Sequence, residues 1–314
     1  MSRFSFACSG LVACLLAATP SFAEDRFEVT QKGDSVEVKL NGKPFTTYET
    51  RFGAKPILWP IIGPTGSEMT RSYPQTKEGK SDERKDHIHH RSFWFTHGDV
   101  NGISFWHENN NHGRTVHQRF SKVTGGPTAT IASVNDWVGP KGKKHCRDER
   151  SYVFSTGENR HYVDVVITVT AAYGDVVFGD TKEGCFGVRT RGSMKVDAKQ
   201  GGKIVSSEGK EDSAAWGKPA AWVDYVGPVD GKTVGIAILN HPTSYGFPSH
   251  WHVRNYGLFA ANPFGLKAFK TGKDGKLEMK KGDSFTLKYR VIFHEGNHQS
   301  ADIAGEFQKY KAQK

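Results

Sequence analysis

The chain predicts an all-β fold, a large antiparallel sandwich or barrel with one short C-terminal helix, and three observations predict it. Apolar and polar residues alternate with period two in several short runs, of which HYVDVVITVTAAY at 161–173 is the clearest. Turn signals rich in Gly, Pro and Asn separate these runs at the spacing expected of successive strands. Apolar stretches with helical spacing are few, whereas the 35 glycines and 12% aromatic content suit sheets. At 314 residues and 36% hydrophobic content the chain can bury a real core, so neither disorder nor a disulfide scaffold is implied.

Taken in order, residues 1–23 read as a secretory leader, with Arg3, a small apolar run from Leu11 to Thr19 and Ser21-Phe22-Ala23 as the small-x-small cleavage site. A competing lipoprotein reading rests on Leu11-Val12-Ala13-Cys14. Residues 24–314 are then expected to form a single exported domain, periplasmic or secreted, with no later stretch long and apolar enough to span a bilayer. Residues 27–40 alternate and turn at Lys32-Gly33-Asp34, and Asn41-Gly42 closes a hairpin before a strand at 45–48. Residues 52–74 are Pro- and Gly-rich and read as irregular chain; 75–86 are charged and read as a surface loop. Residues 91–97 hold β-favouring aromatics and read as a strand, and 98–102 as a turn. Further strands are expected at 116–123, 128–138, 149–155, 162–173, 182–191, 221–225, 233–240 and 285–293, a long loop at 197–219, and a terminal helix at Ile303–Lys311.

The densest chemistry lies at 86–106, DHIHHRSFWFTHGDVNGISFW. If its strand starts early, alternation puts His87, His89, Arg91, Phe93, Phe95 and His97 on one face. Three readings of these histidines stand open. An H-x-H pair at His87/His89, with His90, suits a divalent transition metal and hence a metal-dependent oxidoreductase; a cupin-like version would need a carboxylate where Ser92, Phe93 and Trp94 stand. General acid–base or substrate-binding histidines in a glycan cleft are the second, and histidines satisfied by local hydrogen bonds the third. In 182–191, Glu183, Cys185, Gly187, Arg189 and Arg191 fall on one strand face, where arginines would keep the carboxylate ionised. The stretch 240–265 concentrates His241, His250, His252, Arg254, Asn255 and Asn262 with Tyr245, Trp251 and Tyr256; rings can stack on sugar faces while the polar groups bond hydroxyls or carboxylates. Tyr256 and Phe259 also fit a core role, as does Trp251. His294-Glu295-Gly296-Asn297-His298 matches H-E-x-x-H literally but ends a strand and contains Gly-Asn, so the helix that motif requires is not expected. Cys146 and Cys185, the cysteines outside the leader, are either a disulfide or two buried thiols. The formal net charge of +10 favours anionic partners such as uronate or sulfated glycans. No basic block interleaved with aromatics points to nucleic acid.

Three strings, Asp86-His87-Ile88-His89-His90-Arg91, Phe95-Thr96-His97-Gly98-Asp99-Val100-Asn101-Gly102 and Trp251-His252-Val253-Arg254 with Tyr256-Gly257-Leu258-Phe259 and Asn262-Pro263-Phe264-Gly265, resemble the DUF6807 family, which carries the label "methane oxygenase PmoA". The resemblance implies a galactose mutarotase-like β-supersandwich and a carbohydrate substrate. In mutarotase-like enzymes His and Glu perform acid–base work in an open cleft, parts that His89, His97, His252 and Glu183 would take here. Arg91, Asn101, Arg189, Arg254 and Asn262 would hold the sugar and Trp94 or Trp251 stack on it. The expected activity is lyase-type proton abstraction, epimerisation or glycoside cleavage, against a non-catalytic glycan-binding protein.

Overall fold

The computed structural model describes residues 25–313 together with Met1; the expected leader, with Cys8 and Cys14, lies outside them. In chain order the strands are β1 (Phe27–Lys32), β2 (Ser35–Leu40), β3 (Lys43–Glu49), β4 (Ile57–Ile61), β5 (Phe93–His97), β6 (Arg114–Thr124), β7 (Ala129–Val138), β8 (Lys144–Gly157) and β9 (Arg160–Thr170). They continue with β10 (Val176–Phe178), β11 (Gly184–Arg189), β12 (Lys203–Ser206), β13 (Trp222–Val229), β14 (Lys232–Asn240), β15 (His250–Val253), β16 (Leu258–Asn262), β17 (Leu277–Met279) and β18 (Ser284–Glu295), before the helix α1 (Ile303–Lys311). One eight-stranded sheet runs β1-β2-β3-β4-β5-β11-β16-β15, the other β12-β13-β14-β18-β9-β8-β7-β6, and β10 pairs with β17 alone. Each large sheet ends in two edge strands, so the sandwich alternative holds and the barrel does not.

Alternation makes the core. On the first sheet Tyr48, Phe93, Phe95, Phe186, Val188 and Phe259 face inward; on the second, Ile131, Tyr152, Val165, Ile236, Tyr289 and Val291 meet them. Each such side chain, fully buried, contributes about 1.5–3 kcal/mol. Phe186 stacks on Tyr289 with centroids 4.6 Å apart, and Tyr48 Oη and Ser133 Oγ, 2.8 Å apart, tie the sheets together. The expected terminal helix is present; Asp302 caps it by accepting from the Gly305 N–H, and Ile303, Phe307 and Tyr310 cover Trp222, Leu239 and Ile292 on the outer face of the second sheet. No helix among the described residues is long and apolar enough to cross a membrane.

Several local expectations change. β4 lies in the Pro-rich stretch read as irregular, and β12 in the stretch read as a long loop. Cys146 and Cys185 are both free, buried thiols; burial pushes both well above the ordinary thiol range. The second sheet buries an ion pair in the core side of β8. Asp148 accepts from Asn135 Nδ2 (2.8 Å), Trp137 Nε1 (2.6 Å) and Arg150 Nε and Nη2 (2.7 and 2.6 Å), and both charged side chains are fully buried.

His294 is the penultimate residue of β18, on a strand and not a helix, and its Nε2 meets Asp224 Oδ1 at 3.0 Å. Burial alone would lower the imidazole, but the Asp224 charge and hydrogen bond outweigh it and hold the group above its usual value. Because the folded value lies above the unfolded one of about 6.5, the pair's stabilisation is complete below about pH 6.5 and fades as pH rises through the folded value. Urea denaturation of His294→Gln beside the parent protein is therefore expected to show a larger stability gap at about pH 5.5 than at about pH 9; an equal gap would contradict this coupling.

Candidate functional site

The outer face of the first sheet carries the site. Cross-strand pairing aligns Ile57, Trp94, Gly187, Ala260 and His252 in one row across β4, β5, β11, β16 and β15. Trp94 lies across Gly187, where a Cβ would come within 2.8 Å of Trp94 Cζ2; only glycine leaves room for the indole against the sheet. Ile57, Trp94, Trp106, Leu258 and Ala260 form a second apolar layer there, with Tyr256 packed on it.

A loop at 84–91 lies over this layer and presents three histidines. Two residues in the left-handed region, His87 (φ 43°) and Ser92 (φ 56°), give the loop its path. Arg71, buried beneath, holds it with five hydrogen bonds. Nη1 donates to the Arg84 and Asp86 carbonyls and to Asp86 Oδ1 (3.1, 2.9 and 2.8 Å), and Nη2 to the His87 and His90 carbonyls (2.9 and 3.1 Å). His90 stacks on Trp94 (5.6 Å) and His87 on His90 (4.8 Å) and on Tyr256 (5.4 Å). Arg189 donates to His90 Nδ1 at 3.1 Å and to Asp86 Oδ1 at 3.1 Å, which leaves the neutral His90 ring its proton on Nε2. Behind His89 and His107, whose rings are 4.8 Å apart, Lys55 and Arg91 both bind Glu108, at 3.0 and 2.8 Å.

Above these groups opens a cleft of about 270 Å³ lined by His87, His89, His90, His107, His252, Lys182, Glu183, Arg254 and Tyr256. Four of its five imidazoles are weakly basic. Burial, helped by Lys55 and the neighbouring rings, pushes His89 down to about 3. Burial, with Arg254 adding to it and Glu183 opposing, takes His252 down to about 4. His90 falls well below its usual value through burial and Arg189, and burial lowers His107 against the pull of Glu183. At neutral pH these four rings are uncharged. Glu183 is paired with Lys182 at 2.6 Å.

The structure thus brings together His89, His252, Glu183 and Arg254 from the expected set. It does not bring His97 there. β5 begins at Phe93, and the two left-handed residues before it break the alternation that would have aligned His87 with His97. Phe93, Phe95 and His97 instead share the inner face, where His97 Nε2 bonds the Gly179 carbonyl (2.8 Å) and Nδ1 lies 3.4 Å from Cys185 Sγ. Trp251 points into the inter-sheet core and donates to the Ala220 carbonyl. Asn262 is spent on the Thr181 carbonyl and the Phe264 N–H; Asn101 sits in a turn, bonding the Val177 N–H and His145. Trp94 and Arg189 support His90 from outside the cleft lining, and Arg91 is spent on Glu108. Gly187 and Arg189 do share the outer face of β11, but Cys185 lies in the core, and Arg191 turns to Asp82 at 3.5 Å.

His87, His89 and His90 do not form a metal triad: lone pairs lie in the ring planes, so the parallel His87 and His90 rings cannot converge on one ion at about 2.1 Å, and His90 Nδ1 is already engaged. Among the described residues no group of three or more His, Cys, Asp or Glu side chains is arranged to hold a metal. Sequence reasoning missed His107, Lys182 and Arg71 and left Tyr256 between a sugar-stacking and a core role. His107 and Lys182 carried no motif, and pairing of β5 with β11 brings them near; Arg71 acts through carbonyl groups, which leave no mark in a sequence.

Comparison with known proteins adds a family and little else. The alpha-galactosidase AgaB of glycoside hydrolase family 36 from Geobacillus stearothermophilus aligns at 9% identity with a TM-score of 0.42, over 86% of this chain and 41% of its own. An alpha-galactosidase from Lactobacillus brevis aligns at 9% identity and a TM-score of 0.36, over 88% and 40%. The chain spans less than half the length of either enzyme, and neither likeness carries an argument about substrate. No curated protein sequence matches the chain. The profile of the family of unknown function DUF6807 matches residues 35–308, so this chain belongs to the DUF6807 family.

Proposed function

We propose that the histidine cleft binds an anionic saccharide, a uronate or a sulfated sugar, and performs acid–base chemistry on it. The observation that carries this reading is the convergence of four uncharged imidazoles with Lys182, Glu183, Arg254 and Tyr256 in one cleft of sugar-ring scale. Free-state values of about 3 for His89 and about 4 for His252 are too low for an effective base near neutrality. The neighbouring cations are part of the cause, and an incoming carboxylate or sulfate would neutralise them and displace water from Arg254. His89 and His252 would then rise toward the range where one takes and the other returns a proton. Glu183, beside His252, stabilises the imidazolium formed in that step. A neutral sugar supplies no such compensation, which is why an anionic one is favoured.

Incubating residues 24–314 with a panel of uronate-containing, sulfated and neutral oligosaccharides, with products read by mass spectrometry, tests this directly. Turnover is expected with an anionic member, and His89→Ala and His252→Ala should each lower it by about 10²–10⁴-fold. Full activity in both variants would sink the reading, and tight binding without product over long incubation would leave a glycan-binding protein.

A further inference from the structure

A second pocket adjoins the histidine cleft. It encloses about 290 Å³ between Asp197, Ser213, Trp216, Asn255, Arg254 and Tyr256. The last two also line the histidine cleft, so the pockets share one wall. Arg254 stands in that wall with its Cζ 5.7 Å from the centroids of both the Trp216 and Tyr256 rings. The pocket is furnished for a ligand that is flat on one side and polar at its edge. Trp216 is only partly buried, follows a short turn at Asp212–Ala215 and is braced edge-on by Phe269 at 5.4 Å. Its indole N–H and the Asn255 side-chain carbonyl are without hydrogen-bond partners among the described residues. The charges also differ from the neighbouring cleft. Apart from the shared Arg254, the charged group here is the Asp197 carboxylate, which keeps Arg84 at 3.0 Å and disfavours a second anion.

We infer that the two pockets are adjoining subsites for one saccharide, an acidic unit in the histidine cleft linked to a neutral unit held against Trp216, with the linkage crossing the Arg254–Tyr256 wall. This rests on the saccharide reading of the cleft and narrows it: the preferred ligand is an aldobiouronic acid or a longer chain containing one. A lone uronate fills the first pocket only and forgoes the stacking area of the second.

The test is calorimetric titration of the intact chain with methyl glucuronoside and with glucuronosyl-xylose. The two-unit probe should bind about tenfold more tightly than the one-unit probe. Trp216→Ala should erase that difference while leaving methyl glucuronoside binding unchanged, and Trp216→Phe should restore most of it. Equal binding of both probes by the parent protein overturns the second subsite and leaves the cleft reading intact. That comparison needs no variant, so it decides even if Trp216→Ala misfolds. Binding of neither probe overturns the uronate form of the cleft reading together with the subsite. A tenfold preference for the two-unit probe that survives Trp216→Ala in a folded protein also overturns the subsite.

Discussion

Asp148→Ala is expected to destabilise the fold by about 3–5 kcal/mol, the cost of leaving a buried guanidinium without its counter-ion. Asp148 accepts four hydrogen bonds from Asn135, Trp137 and Arg150, and Arg150, wholly buried, has no water to turn to. Deletion takes the shared acceptor from three side chains at once, and the strands around them, β7 and β8, are interior strands of the second sheet. The double substitution Asp148→Ala, Arg150→Met removes the donor as well as the acceptor and should recover a large part of the loss, because neither charge is then left unpaired. Denaturant midpoints for the parent, the two single variants and the double variant complete the cycle. A single-variant loss under about 1 kcal/mol, or a double variant worse than both singles, would contradict the account.

The second large effect is expected at Arg71. Arg71→Met keeps the length of the side chain and loses all five hydrogen bonds to the 84–91 loop. Removing a buried charged donor with several acceptors should cost about 3 kcal/mol or more. The larger consequence is positional. The carbonyls of His87 and His90 are gripped from below, and under the proposed acid–base reading a shift of about 1 Å in the loop that carries His89 would lower activity by about 10²-fold. Amide hydrogen exchange should speed up at 84–91 while β9 and β18 keep their protection. Unaltered exchange in the loop would show that the Trp94 and Tyr256 stacking holds it without Arg71.

What the sequence disclosed follows from the range of the interactions involved. Alternation is local, so β9, β18 and the sandwich itself were readable from runs such as HYVDVVITV. The histidines announced themselves by density, and His89 and His252 do meet. Their faces were harder. Assignment of His97 to the site rested on alternation continuing unbroken from His87, and two left-handed residues, neither of them glycine, stop it. Trp251 looked like a sugar platform because it stands beside His252, yet the same alternation that sends His252 outward sends Trp251 into the core. Lys182 and His107 are 75 residues apart and become neighbours only through sheet pairing. Trp216 lies in a polar stretch with no strand signal, and its place beside Arg254 is a property of the assembled sheet.

The row across β5, β11 and β16 has one more consequence. Residues of β11 alternate strictly between two duties from Phe186 onward: Phe186 and Val188 fill the interior, and Gly187 and Arg189 serve the cleft. A slip of one residue in that pairing would carry the Arg189 guanidinium into the packed interior and set Val188 beneath the Trp94 indole, where only hydrogen fits. Such a misthreaded molecule would forfeit its core and its cleft together. Pairing fidelity is thereby proofread twice by one strand, and a population of this protein that has passed through folding should contain no stable, mis-registered fraction.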